Sequence, residues 1–257
     1  MKGKRSLVFF TIVLLFLAGT CKKVIPTGPT QPDLGNGQTV LLHITAVITL
    51  NGIPFANVDV YLSGNDSKKV QTGADGTFSF TDLPAGTYYI TPSKQGYSFS
   101  PVYFEFNANT NNYAFTAQNA SYGSEEGSVM ANFSAMNQNA QNISLYDLFG
   151  QVVLVNFSAD WCGPCRSEAS QLNTLFNTYR GRGFHVISVL FSGDNATWAN
   201  EYSLEFPVLD DRLKLIYQIY RTGYVPVNIL INRNGHILYK RSGYNEFEIE
   251  EWIKKFL

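Results

Sequence analysis

Val152-Val153-Leu154-Val155-Asn156-Phe157-Ser158-Ala159-Asp160-Trp161-Cys162-Gly163-Pro164-Cys165-Arg166 is the stretch on which the fold turns. Its apolar, β-branched opening reads as a buried parallel strand. Beyond it, Leu172, Leu175, Phe176 and Tyr179 stand at i, i+3, i+4 and i+7, the spacing of one apolar helix face. The two cysteines therefore fall at a strand-to-helix junction, at or near the first turn of the helix. Unpaired N–H groups and the helix dipole favour negative charge there. The Cys162 thiolate is expected to be stabilised, with a pKa below the free value of about 8.5. Such a thiolate attacks a disulfide and forms a mixed disulfide. Cys165, one turn along, then attacks the Cys162 sulfur and frees the reduced product. Pro164 suits an early helical position, where a missing N–H costs nothing.

The chain has 257 residues, which suits two domains better than one. With 45% hydrophobic and 15% charged residues it belongs with globular chains rather than disordered ones. A net charge of -1 gives no footing for nucleic acid. Three cysteines are too few for a disulfide scaffold. A C-x-x-C pair can also be half of a zinc site, but zinc needs three or four protein ligands. No second pair exists, and His185 and His236 lack ligand spacing, so neither metal nor other cofactor is expected. Trp198 with Tyr202, and Ile249, Trp252, Ile253 and Phe256 of a C-terminal helix, read as packing positions. His43 reads as a strand residue.

Residues 128–257 resemble the thioredoxin superfamily and, within it, the TlpA/ResA-like exported thiol–disulfide oxidoreductases. The resemblance rests on Ala131-Asn132-Phe133-Ser134, on residues 143–151 leading into the strand, and on Trp161-Cys162-Gly163-Pro164-Cys165. It also rests on Glu168, on Val225-Pro226 before Val227-Asn228-Ile229-Leu230-Ile231, and on the turn Asn232-Arg233-Asn234-Gly235. Residues 194–220 match the insertion that separates this group from plain thioredoxin. The resemblance implies an α/β thioredoxin fold with a central insertion and catalytic Cys162 and Cys165. It also implies a cis bond at Pro226 across from the cysteines, and substrate contacts from Trp161, Gly163, Pro164, Val225 and Pro226. Asn156 stands where thioredoxins commonly carry a buried Asp that relays protons, and Asn cannot titrate. Glu168, one turn past Cys165, is the candidate replacement as proton acceptor. The alternative is an ordinary solvated helix glutamate. Gly163-Pro164 is the dipeptide of reducing thioredoxins, which implies a reductase of exported protein disulfides, apocytochrome c among them, fed by a membrane electron donor.

Upstream, Leu42, Ile44 and Ala46, then Val58, Val60 and Leu62, alternate as in half-buried strands, and Asp75-Gly76 reads as a hairpin turn. Gly52-Ile53-Pro54-Phe55-Ala56-Asn57-Val58, residues 72–80 and residues 83–90 resemble the carboxypeptidase-regulatory-like family. That implies an all-β prealbumin-like sandwich over residues 39–118. A polar linker, residues 119–127, joins it to the second domain and leaves their mutual placement free.

Lys2, Lys4 and Arg5 precede an apolar stretch, residues 7–18, too short to span a membrane. Residues 1–21 thus read as an export signal, and 22–38, rich in Pro, Gly and Thr, as a tether. Leu17-Ala18-Gly19-Thr20-Cys21 resembles a lipoprotein signal with Cys21 as the lipidated residue, although Thr20 departs from the usual small residue. An ordinary cleavage site and a retained anchor remain as alternatives. Each places the folded part in the cell envelope, periplasmic or at the cell surface. Two other functions compete. One is a peroxiredoxin-like peroxidase, whose Pro-x-x-x-Thr-x-x-Cys context is missing here. The other is a surface binding or scaffold protein led by the β-sandwich.

Overall fold

A computed structural model describes residues 41–220 and 223–257. The expected signal (1–21), Cys21 and the tether (22–38) lie outside the described residues.

The first domain is the expected β-sandwich. One sheet carries Thr77–Pro84, Leu41–Leu50, Thr110–Asn119 and Tyr97–Ser100, with Ile53–Pro54 folded back on Leu41–Leu50. The other runs Lys68–Gln71, Asp59–Gly64, Tyr88–Ser93, Phe104–Phe106. Alternation in the sequence becomes the core between them: Ile44, Ile48, Val60, Leu62, Phe80, Ile90 and Phe115 are all buried. Asp75-Gly76 does form a turn, but not of a hairpin. Lys68–Gln71 pairs with Asp59–Gly64, whereas Thr77–Pro84 pairs with Leu41–Leu50, so the connection crosses from one sheet to the other. The glycine is needed because the turn lies against the first sheet. Gly76 has φ +73°, and a Cβ there would come within 2.5 Å of the Ile48 carbonyl oxygen.

The second domain is the expected thioredoxin fold. Its sheet runs Val208–Asp210, Phe184–Leu190, Val152–Ser158, Val227–Ile231, Ile237–Ser242. The central strand is buried throughout. It is parallel to Phe184–Leu190 on one side, as its composition predicts, but antiparallel to Val227–Ile231 on the other. Burial on both faces gives the same apolar run in either orientation, so composition could not separate the two. Helices α1 (Gly163–Tyr179) and α4 (Glu246–Phe256) cover one face, packing on Val152, Leu154, Val186 and Leu230. The other face, with Val153, Val155 and Ile229, is covered by Met130, Phe133 and helix α3 (Leu215–Tyr220). Helix α2 (Asn195–Glu201), the edge strand Val208–Asp210 and α3 make up the insertion.

The polar linker is not a free hinge. Tyr122–Gly123 pairs with Val129–Met130, and Glu125 and Glu126 make ion pairs with Lys240 (2.8 Å) and Arg241 (2.6 Å). The domains also touch directly. Arg233 is buried with its guanidinium 4.8 Å from the Tyr61 ring and donates to the Phe256 carbonyl. Asn234 Nδ2 donates to the Tyr97 carbonyl at 2.8 Å, and Phe256 packs edge-on against Tyr103. All described residues belong to one compact unit. Among them, no helix is long and apolar enough to cross a membrane.

Candidate active site

Cys162 is the N-cap of α1, and its sulfur accepts a hydrogen bond from the Cys165 N–H at 3.2 Å. The two cysteines are joined in a disulfide, with Cα atoms 5.3 Å apart. The helix starts here for local reasons: Cys162 has extended backbone angles, and Pro164 follows where no intrahelical N–H is required. Both sulfurs are nearly buried, Cys162 being the slightly more open.

The loop before Val227–Ile231 lies across from the pair. The Val225–Pro226 bond is cis, and Cys162 Sγ lies 3.6 Å from the Val225 carbonyl oxygen. Pro164, Glu168, Pro226, Tyr244 and Phe247 line one open groove of about 810 Å³. Trp161 is 65% exposed, its ring edge-on to Phe191, which packs in turn on Tyr217. Tyr224 and Phe247 are also largely exposed, so the cysteine pair is ringed by bare aromatic surface. A Cβ on Gly163 would meet nothing within 4 Å, which leaves open space over the start of the helix. Trp161, Cys162, Gly163, Pro164, Cys165, Glu168, Val225 and Pro226, the expected site residues that the structure describes, are thus gathered here.

Glu168 is not a solvated helix residue. It is 1% exposed, turned toward the sheet, and accepts from Asn156 Nδ2 and, at 3.5 Å, from Asn228 Nδ2. Burial pushes its carboxyl up to about 7, although the two amides pull the other way. Asn156, an amide that cannot titrate, donates to this carboxylate. Sequence reasoning missed Asn228, Ser158, Ser188 and Tyr244. The first three were visible as polar interruptions in strands otherwise apolar on both faces. Tyr244 is half-buried, with no hydrogen-bond partner for its hydroxyl among the described residues. Burial raises its pKa, and Glu168 and Glu246 add to the effect.

Residues 127–240 match the AhpC/TSA family and residues 44–116 the carboxypeptidase regulatory-like domain. The chain is similar to the thiol-disulfide oxidoreductase ResA of Bacillus anthracis, 30% identical over 133 residues, which are 50% of this chain and 77% of that protein. It is 33% identical to ResA of Oceanobacillus iheyensis over 98 residues, 37% of this chain and 51% of that one. A solved thiol:disulfide interchange protein from Bacteroides sp. is 24% identical, with a TM-score of 0.44, covering 50% of this chain and 90% of that one. The curated relatives carry the oxidoreductase name, so the peroxidase reading is not favoured.

Proposed function

We propose that this chain, which belongs to the ResA family of thiol–disulfide oxidoreductases, is an exported reductase of protein disulfides working through a mixed disulfide on Cys162. The observation that carries this is a cysteine pair capping the first turn of α1, with the half-buried Val225 carbonyl beside it and bare aromatic surface around it. In the reduced enzyme the helix terminus stabilises the Cys162 thiolate. The thiolate attacks one sulfur of a substrate disulfide, and the other sulfur leaves as thiolate. Cys165 gives its proton to Glu168 and attacks Cys162, so the substrate departs with two thiols and the enzyme is left with its disulfide. An external dithiol, on this reading a membrane donor, returns the two electrons. Val225 and Pro226 offer main chain to an extended substrate, and Trp161, Gly163 and Pro164 border it. Disulfides of exported proteins, apocytochrome c among them, are the substrates, and Cys21 is the lipid anchor that holds the chain in the bacterial envelope.

The test is the reduction potential of the Cys162–Cys165 pair, equilibrated against dithiothreitol and glutathione buffers, together with insulin reduction. We expect a potential near thioredoxin's about −270 mV, and no insulin reduction by Cys162→Ser. A potential near the roughly −120 mV of strong oxidants would recast the protein as a disulfide donor. Full activity in Cys162→Ser would remove the site altogether.

A further inference from the structure

On the face of the second sheet that packs on α1, one row across three strands is polar and buried. In the strand registers, Ser188 is the direct neighbour of Asn156, and Asn156 of Asn228. Three adjacent strands thus place a hydroxyl and two amides side by side beneath α1, each 1% exposed or less. Ser158, two residues along the central strand, points to the same face and is also buried, at 2% exposed.

The hydrogen bonds in this row have a direction. Ser158 Oγ donates to Asn156 Oδ1 at 2.6 Å, and Ser188 Oγ donates to the same oxygen at 3.0 Å. With its oxygen taken by two hydroxyls, Asn156 has only its NH2 edge left to present on the other side. That edge donates to Glu168 Oε1 and, at 3.1 Å, to Asn228 Oδ1. Asn228 is oriented in turn: its oxygen is used, so its NH2 points to the Gly243 carbonyl at 3.0 Å and to Glu168 Oε2. An amide flipped the other way would set carbonyl oxygen against carboxylate. Neither serine hydroxyl hydrogen-bonds to Glu168 or to a sulfur, yet the two decide which edge of both amides the carboxylate meets.

We propose that Ser158 and Ser188 are positioning residues which, through Asn156 and Asn228, set how readily Glu168 gives up its proton beside the thiol pair. The titratable groups facing Glu168 are Cys165 on its own helix and Tyr244 with Glu246 from the segment entering α4; the sheet side offers only neutral amides and hydroxyls. Tyr244 stays neutral through burial and Glu246 stands across the open groove, so among the described residues the two amides are the groups that hydrogen-bond to the Glu168 carboxylate. The inference deepens the proton-acceptor role given to Glu168 above and rests on that reading for its significance, but not for its test.

The test is a titration of the Glu168 carboxyl in the oxidised full chain, where neither cysteine titrates. Protein carrying 13C-carboxyl glutamate is followed by NMR, and Glu168→Gln identifies the resonance. The Ser158→Ala/Ser188→Ala double variant is expected to raise the Glu168 midpoint by at least about half a pH unit, roughly a threefold change in proton affinity. Ser188→Thr, which keeps the hydroxyl, is expected to titrate like the unaltered protein. A folded double variant with an unchanged midpoint overturns the proposal. If the double variant does not fold, Ser188→Ala alone is judged by the same shift, and an unchanged midpoint again overturns it. A relay that fails shows up separately, as a pH–rate profile that Glu168→Gln leaves unaltered.

Discussion

At the residue scale, Glu168 is the side chain whose surroundings matter most. A carboxyl held near 7 against an ordinary 4.5 is divided between acid and carboxylate near neutral pH, and its carboxylate form can take a proton from a thiol. The same displacement has a consequence for stability. Because the folded-state value is raised, the folded state prefers the protonated form. The associated stability is complete below about pH 4.5 and is lost as the pH climbs through about 7, at most about 3 kcal/mol. Glu168→Gln cannot ionise and is expected to lose nothing over that range. Urea unfolding at pH 5 and pH 8 checks this: the variant should gain on the unaltered protein by about 1–3 kcal/mol between the two. A gap that does not change with pH would mean that Glu168 titrates normally.

At the scale of elements, the site depends on short pieces with specific anchors. Helix α3 ends just before the described loop that carries Val225 and Pro226, and its apolar outer face is bare at Leu215 and Ile219. Six residues form no stable helix alone. What fixes α3 is Asp211, 4% exposed, which accepts from the N–H groups of Ile216 (3.0 Å) and Tyr217 (2.8 Å) at its first turn. Asp211→Ala is expected to cost about 1–2 kcal/mol, as lost caps do, while Asp211→Asn retains one acceptor and most of the stability. Thermal melts of both variants measure the difference. Insulin reduction should fall more than folding does in Asp211→Ala, because Tyr217 carries the Phe191–Trp161 surface beside Cys162.

On the scale of the whole molecule, the β-sandwich is fixed to the catalytic domain. Arg233 is one tie, its buried guanidinium over the Tyr61 ring and held there by its own donation to the Phe256 carbonyl of the second domain. Its burial lowers its pKa, a cost the interface bears only while both partners are in place. Calorimetry of the intact protein is expected to show one transition for the two domains. Arg233→Ala removes the cation–π contact that crosses the interface, about 1 kcal/mol, and is expected to weaken the coupling so that the domains separate into two transitions. Two transitions in the unaltered protein would mean that the interface contributes nothing to cooperativity.

The strand, the helix and the cysteine pair at their junction were legible in the sequence, because periodicity and the C-x-x-C spacing are local and each residue states its own preference. The sandwich was legible for the same reason, through alternation. Which strands pair was not: the turn at Asp75-Gly76 crosses between sheets, and the central strand is antiparallel to one neighbour, facts carried by contacts between distant segments. The sequence by itself determined the dithiol, the proline across from it and the Glu one turn on. Tertiary structure decided that Glu168 faces inward rather than to solvent, that Asn228 meets it directly while Ser158 and Ser188 reach it through Asn156, and that the polar linker is docked. The physical reason is one of range: propensity and spacing act within a few residues, whereas burial and the direction of a hydrogen bond are set by whatever the fold brings alongside.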